Sequence, residues 1–209
     1  MSYVSDEEKM FTYLRGVLKG ARFKESQHAL GYDREKHEGQ FRDDGQPYII
    51  HPLSMACFAS ALRDITDEMI ATILLHDVCE DCGVPLSALP VNEVVRRGVK
   101  HMTIAYYPGE EKPEGKRRYF NELIECKEAL ICKGIDRYAN LSTMEGVVEE
   151  ERIIKNVRET HELLMPVLKR GKDKWPELAD ALHIIRTNLR NTYGLLATVH
   201  HVDLDSDGQ

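Results

Sequence analysis

Four titratable side chains fall within six positions at His76-Asp77-Val78-Cys79-Glu80-Asp81, directly after the apolar run Ala71 to Leu75. An imidazole and a carboxylate at the buried end of a helix are costly unless they are paired or coordinated. Two other segments carry matching chemistry. One is His51 in Tyr48-Ile49-Ile50-His51-Pro52-Leu53; the other is Asp136 in Gly134-Ile135-Asp136-Arg137-Tyr138-Ala139-Asn140. His51, His76, Asp77 and Asp136 together offer two imidazoles and two carboxylates, a set able to converge on one divalent metal. Mixed imidazole and carboxylate donors suit manganese, iron or zinc better than magnesium. Consecutive helical residues point about 100° apart, so His76 and Asp77 reach one ion only near a helix end or kink. The stretch Val78 to Gly83 allows one. Each residue also has a plain alternative. His51 would be an exposed helix-start histidine and Asp77 a surface charge at a helix C-terminus, where the dipole disfavours it. Asp136 would be an N-terminal helix carboxylate, where the dipole favours it. Cys79-Glu80-Asp81-Cys82 has Cys-x-x-Cys spacing, but no second cysteine pair completes a zinc site and no strand pattern leads into it.

The elements that must position these residues read as helices. Apolar residues recur at three- and four-residue spacing, and alternating strands with two-residue turns are absent. Met10, Leu14, Val17 and Leu18 mark a first helix. Gln27, Ala29 and Leu30 begin a second segment, expected to break at Gly31. Arg42-Asp43-Asp44-Gly45-Gln46-Pro47 is a loop. Pro52 suits a helix's first turn, and that helix should run through Met55, Phe58 and Leu62. Asp67 is expected to cap the next helix, which delivers His76 and Asp77 at its end and stops at Gly83-Val84-Pro85. Pro85 to about Lys100 reads as a helix pair or an irregularly started helix, and Pro108 to Lys116 as the longest loop. Further helices are expected at Arg117–Cys132, Asp136–Leu141, Glu149–Leu168 and Pro176–Ala197. The whole is one all-α domain over 1–199, with a frayed tail over 200–209.

A chain of 209 residues is long enough for one sizeable core. The net charge of −7 argues against nonspecific binding to nucleic acid or anionic membranes. It leaves room for a phosphorylated ligand, because a metal and a few local cations can dominate one pocket. Met1 to Glu8 has no basic region and no apolar core, so it is not read as a signal peptide. No apolar run approaches the roughly 20 residues of a membrane helix. Five cysteines, Cys57, Cys79, Cys82, Cys126 and Cys132, are an odd number. With these features they suggest a reducing, cytoplasmic compartment.

The order His51 … His76-Asp77 … Asp136 resembles the signature of the HD-domain metal phosphohydrolases. The flanking residues narrow the likeness. His37-Glu38-Gly39-Gln40-Phe41-Arg42, then Gly45-Gln46-Pro47-Tyr48-Ile49-Ile50-His51-Pro52, resembles the opening of the hydrolase domain of the Rel/SpoT alarmone enzymes. Leu75-His76-Asp77-Val78 with Glu80-Asp81 resembles that family's central motif, and Asp136-Arg137 with Asn140-Leu141 its third. Glu151-Arg152-Ile153, Arg158-Glu159-Thr160 and Met165-Pro166-Val167-Leu168 look like its following helix. The likeness runs from about Lys36 to about Gly171. The synthetase and regulatory regions of the long enzymes have no room in this length, so the nearest comparison is with the small, stand-alone alarmone hydrolases.

The resemblance implies an HD-type helical domain holding one Mn²⁺ on His51, His76, Asp77 and Asp136. It implies that this domain cleaves the 3′-pyrophosphate of ppGpp or pppGpp to GDP or GTP and pyrophosphate. Glu80 and Asp81 match the acidic pair that orients water and moves a proton without binding the metal. Arg42 and Asn140 match substrate-contacting positions, with Tyr48 and Thr143 as weaker candidates. The implied partner is a small phosphorylated nucleotide, with a homo-oligomer left open. Two departures bear on the substrate: a Lys-Ser pair common in the family is Asp43-Asp44 here, and a Leu-His pair is Tyr138-Ala139. Two carboxylates beside a pyrophosphate repel it unless they point away. Lys112, Lys116, Arg117 and Arg118 are either a compensating charge or a solvated face. These departures keep open a different phosphorylated nucleotide: an adenine alarmone, the 2′-phosphate of NADPH, or a nucleoside monophosphate. A metal-free nucleotide-sensing domain is a third reading. Degenerate HD domains usually lose a ligand or the acidic pair, however, and this chain has lost neither.

Overall fold

The computed structural model describes residues 6–204. Among them the regular structure is helical, and the one β-type pairing is an isolated antiparallel bridge between Phe41 and Pro47. In chain order the α-helices are α1 (Asp6–Ala21), α2 (Lys24–Lys36), α3 (Ile50–Ser60), α4 (Asp67–Leu75), α5 (Val78–Asp81) and α6 (Glu93–Met102). There follow α7 (Lys112–Glu122), α8 (Lys127–Leu141), α9 (Glu150–Glu159), α10 (Met165–Lys174) and α11 (Ala179–Val199). The expected all-α class is therefore observed.

Helix α4 is the centre of the packing. Met69 through Leu75 are all buried, the pattern of a helix apolar on every side. It lies against α2, α3, α6 and α8. Thr66, not Asp67, caps α4, its hydroxyl accepting from Met69 N. Asp67 serves a different helix: its carboxylate accepts from Glu25 N at 2.9 Å and Ser26 N at 2.7 Å. Those are first-turn amides of α2, with no partner inside their own helix. One side chain thus fixes the start of α2 onto the start of α4.

Other boundaries differ from expectation for reasons of packing. Helix α2 passes through Gly31 without a break. A helical glycine costs about 1 kcal/mol, which the Asp67 cap and the buried Ser26, Ala29, Leu30 and Asp33 outweigh. Helix α8 likewise passes through Gly134, so Asp136 sits within a continuous helix rather than at a new N-terminus. A Cβ on Gly134 would lie 2.8 Å from Ile185 Cγ2 and 3.3 Å from Leu168 Cδ2, so the glycine lets α8 approach α11 and α10. The single helix expected over Glu149–Leu168 is divided by a π turn at Thr160–Leu164. Pro166, in the first turn of α10, cannot donate to the preceding turn. Helix α7 begins at Lys112, shortening the expected loop.

At the C-terminal side, His200 reaches Glu150 Oε1 with Nδ1 at 3.0 Å and Glu145 Oε2 with Nε2 at 2.8 Å. Val202 N donates to Ala197 O, and Val202 and Leu204 pack on the core. The remainder of the expected tail, 205–209, lies outside the described residues. No helix among the described residues is long and apolar enough to cross a membrane.

Candidate metal centre

Three packed elements bring the four sequence-selected donors together. His51 lies in the first turn of α3, His76 and Asp77 occupy the junction between α4 and α5, and Asp136 lies in α8. The helix end between α4 and α5 is the break that lets adjacent residues face one point. His51, His76 and Asp77 each offer a donor atom within 4.8 Å of the others. Asp136 Oδ1 borders this group, 3.4 Å from His51 Nε2 and 3.8 Å from His76 Nε2. His51, His76 and Asp136 are buried, and Asp77 is partly exposed.

The hydrogen bonding leaves the inward-facing atoms available. His76 Nδ1 lies 2.8 Å from Ile73 O, which makes that nitrogen an N–H and turns Nε2 toward the other donors, the atom that would ligate an ion on losing its proton. Nε2 has no hydrogen-bond partner among the described residues, although Asp77 Oδ2 is only 2.9 Å away. The two atoms stand side by side without forming a bond, as ligands of a common ion do. A backbone carbonyl behind the imidazole is the usual orienting partner of a ligating histidine. This buried, unsatisfied nitrogen and the mixed donor set fit a divalent metal.

The charges fit as well. Burial by itself would lower His76, but the Asp77 carboxylate, its close contact, and Asp136 raise it to about 9. Burial would raise Asp77, yet His76 and the bond from Tyr48 hold it down at about 2. Burial likewise opposes ionisation of Asp136, while Lys133, His51 and His76 keep it well below the carboxylate range. His51 is lowered by burial. Two carboxylates are thus held ionised beside the two imidazoles, with His76 and Lys133 balancing their charge.

Around it, Tyr48 donates its hydroxyl to Asp77 Oδ2. Burial and the Asp77 and Asp81 charges push the Tyr48 phenol far above its usual range, so it stays protonated. Asn140 Nδ2 donates to Asp136 Oδ1 at 2.7 Å, and Arg42 Nη2 donates to Asn140 Oδ1 at 2.9 Å. Arg42 and Asn140 thus form one chain ending on Asp136. Lys133 Nζ donates to Asp136 Oδ2 at 2.9 Å. Glu80 and Asp81 lie on α5, one turn beyond the donors, and both are exposed. Thr143 turns its hydroxyl onto the carbonyls of Ala139 and Asn140, each at 3.2 Å.

A cavity of about 400 Å³ opens over the centre. Arg42, Tyr48, His51, Asp77, Asn140 and Thr143 all line it. Asp43 and Asp44 also line it, and of the two only Asp43 has its charge paired. Asp43 Oδ2 is paired with Arg152 Nη1 at 2.8 Å, and Asp44 Oδ1 accepts from Gln46 N at 2.9 Å. The basic residues after the long loop are engaged elsewhere, Arg118 with Glu110 and Glu122, and Lys116 with Glu159.

Sequence reasoning missed several residues. Asp33, fully buried, lies 3.4 Å from His37 Nε2 through Oδ1, and neither of its oxygens has a hydrogen-bond partner among the described residues. His37 stacks on Tyr48 with ring centroids 4.4 Å apart. The helical spacing Asp33-x-x-x-His37 is a signal that was available. Lys133 stands one turn before Asp136, another readable spacing. Arg152 and Asn156, which line the cavity from α9, carry no local signal. Cys82 Sγ donates to Lys36 O at 3.3 Å, and none of the five cysteines is in a disulfide.

Fold and site together define an all-helical domain presenting a buried His/His/Asp group able to hold a divalent metal. No family model matches the chain. It is similar to the guanosine-3′,5′-bis(diphosphate) 3′-pyrophosphohydrolase of Vibrio cholerae, 31% identical over 144 residues, covering 66% of this chain and 20% of that protein. It is also similar to the enzyme of the same name from Spiroplasma citri, 32% identical over 173 residues, 78% of this chain and 23% of the relative. A third relative is the bifunctional (p)ppGpp synthase/hydrolase SpoT of Escherichia coli K12, 29% identical over 144 residues, 66% of this chain and 20% of the relative. The domain is Rel/SpoT-like, as its motifs indicated. The chain spans about a fifth of the length of these curated relatives.

Proposed function

We propose that this domain hydrolyses the 3′-pyrophosphate of ppGpp or pppGpp, giving GDP or GTP and pyrophosphate. The observation that carries this reading is the convergence of His51, His76 and Asp77 within 4.8 Å, with Asp136 against them, beneath a cavity in a Rel/SpoT-like chain. The proposed ligands are His51, His76, Asp77 and Asp136, and the proposed ion is Mn²⁺, chosen by the donor set and the family likeness. When bound, such an ion acidifies water and neutralises phosphate oxygens.

The remaining steps belong to side chains. Glu80 and Asp81 are proposed to orient the nucleophilic water, take its proton and return one to the leaving oxygen. Their exposure on α5 leaves both carboxylates within reach of solvent water. Tyr48 fixes the Asp77 carboxylate through its hydroxyl. Arg42 offers a guanidinium to phosphate oxygens. Asn140 offers an amide to a ribose hydroxyl, and Thr143 contributes to the cavity wall. The balance is hydrolytic: water adds, the P–O bond to the ribose 3′ oxygen breaks, and that oxygen leaves with a proton.

Incubation with Mn²⁺ and ppGpp, with the nucleotide products resolved by chromatography, tests the reading. GDP and pyrophosphate are expected; an intact substrate over metal-loaded protein would sink it. The Asp43-Asp44 departure favours one second reading, a different phosphorylated nucleotide on the same centre. Parallel turnover of an adenine alarmone, NADPH and nucleoside monophosphates separates the two.

A further inference from the structure

The cavity over the candidate centre is lined by two cationic side chains among the described residues, Arg42 and Arg152. They stand in different electrostatic situations. Arg42 bonds the neutral Asn140 side chain, so its charge is not cancelled by its partner. Arg152, on α9, has its charge offset by Asp43, which lies on the loop before α3. The two partners are 109 positions apart in sequence and face each other across the cavity lining. Their side chains are 58% and 61% exposed. An ion pair this exposed contributes little net stability. A guanidinium forms stronger, forked bonds with a phosphate than with most partners. Asp43 is thus a partner that an arriving phosphate can displace.

We propose that Arg152 is a specificity-determining residue that recognises a second phosphate group on the substrate, remote from the scissile one, and that Asp43 holds it in place until that group arrives. The inference rests on the reading of this cavity as the site of a phosphorylated nucleotide. Within that reading it assigns one side chain, Arg152, to the phosphate group remote from the scissile one. It also gives the Asp43 departure a role, since a carboxylate here keeps the guanidinium at the cavity instead of repelling the ligand.

The test is equilibrium dialysis of Mn²⁺-loaded protein in the Glu80→Gln, Asp81→Asn background, which the proposed reading makes inactive, with ppGpp and with guanosine carrying only the 3′-diphosphate; hydrolysis by the unsubstituted protein is followed separately. Arg152→Ala should weaken ppGpp binding about tenfold, the loss of one charge-assisted contact, and leave the 3′-diphosphate ligand within about twofold. Asp43→Asn should tighten ppGpp by about two- to fivefold, because the arginine no longer has an ionic competitor. Both positions are exposed, and circular dichroism checks that the variants fold. Unchanged ppGpp affinity in Arg152→Ala, an equal loss for both ligands, or no binding to the background protein each overturns the inference. Tight, Arg152-dependent binding of ppGpp without its hydrolysis would instead leave this assignment standing and remove the proposed activity.

Discussion

Asp136 Oδ1 accepts from Asn140 and lies against His51 and His76, while its Oδ2 accepts from Lys133. A carboxylate with that many neighbours serves to aim them, which suits a ligand and leaves little freedom for proton transfer. Glu80 and Asp81 are the opposite case, exposed and away from the crowded donor group. The division gives a direct expectation. Glu80→Gln combined with Asp81→Asn should lower ppGpp turnover by about 10²- to 10⁴-fold, with bound manganese unchanged by elemental analysis. Loss of the metal in that variant would make the pair ligands instead. His51, His76, Asp77 and Asp136 were legible because residue type, spacing and a helix break pointed the same way. Arg152 was not, because its meaning depends on Asp43, far away in the chain. Asp33 was passed over because an isolated aspartate in a polar helix looks solvated until its burial is known.

The helices were read correctly as a class and less well at their limits. Gly31 looked like a breaker and the chain looked interrupted between Cys132 and Asp136, and tertiary packing overrode both. Asp67 has the sequence of a local cap, yet it caps its neighbour's first turn. Local signals such as Thr66 or Pro52 act within a few residues, whereas the choice of capping partner belongs to the packing of two helices. Gly98 shows the same point with a measurable cost. A Cβ there would lie 2.5 Å from Thr72 Oγ1, 2.9 Å from Thr72 Cγ2 and 3.1 Å from Glu128 Cβ. Thr72 is buried in α4, the helix that presents His76. Gly98→Ala should destabilise by about 1–3 kcal/mol through overpacking, despite alanine's better helix propensity. Urea unfolding measures it, and a midpoint equal to wild type would mean that α6 and α4 can separate without penalty.

For the molecule as a whole, the far end of α11 controls one wall of the cavity. His200 bridges Glu145 and Glu150, which flank the segment carrying Val147 and Val148 into that cavity. An imidazole facing a carboxylate with each nitrogen donates to both only when protonated. The bonds to Glu150 and Glu145 accordingly raise His200 above its ordinary value. A raised folded value means the tether is fully present below the unfolded histidine pKa of about 6.5. It is lost as pH rises through the folded value. The protection of amides in residues 144–150, taken relative to their intrinsic exchange rates, should therefore fall with rising pH across that window, and His200→Gln should abolish that fall in protection. A flat profile in the wild type would show that the wall is held by packing alone.

The donors at the centre come from α3, from the α4–α5 junction and from α8, segments that only the finished fold brings together. An ion gripped there would act as a cross-link as well as a reagent, closing the chain into loops much as a set of disulfides would. Folding and metal affinity then become one linked equilibrium, in which free ion at 1,000 times its dissociation constant adds about 4 kcal/mol to the native state. A chelator should lower the melting temperature in scanning calorimetry as surely as it stops turnover, and a melting temperature indifferent to the chelator would mean that these elements hold one another without the ion.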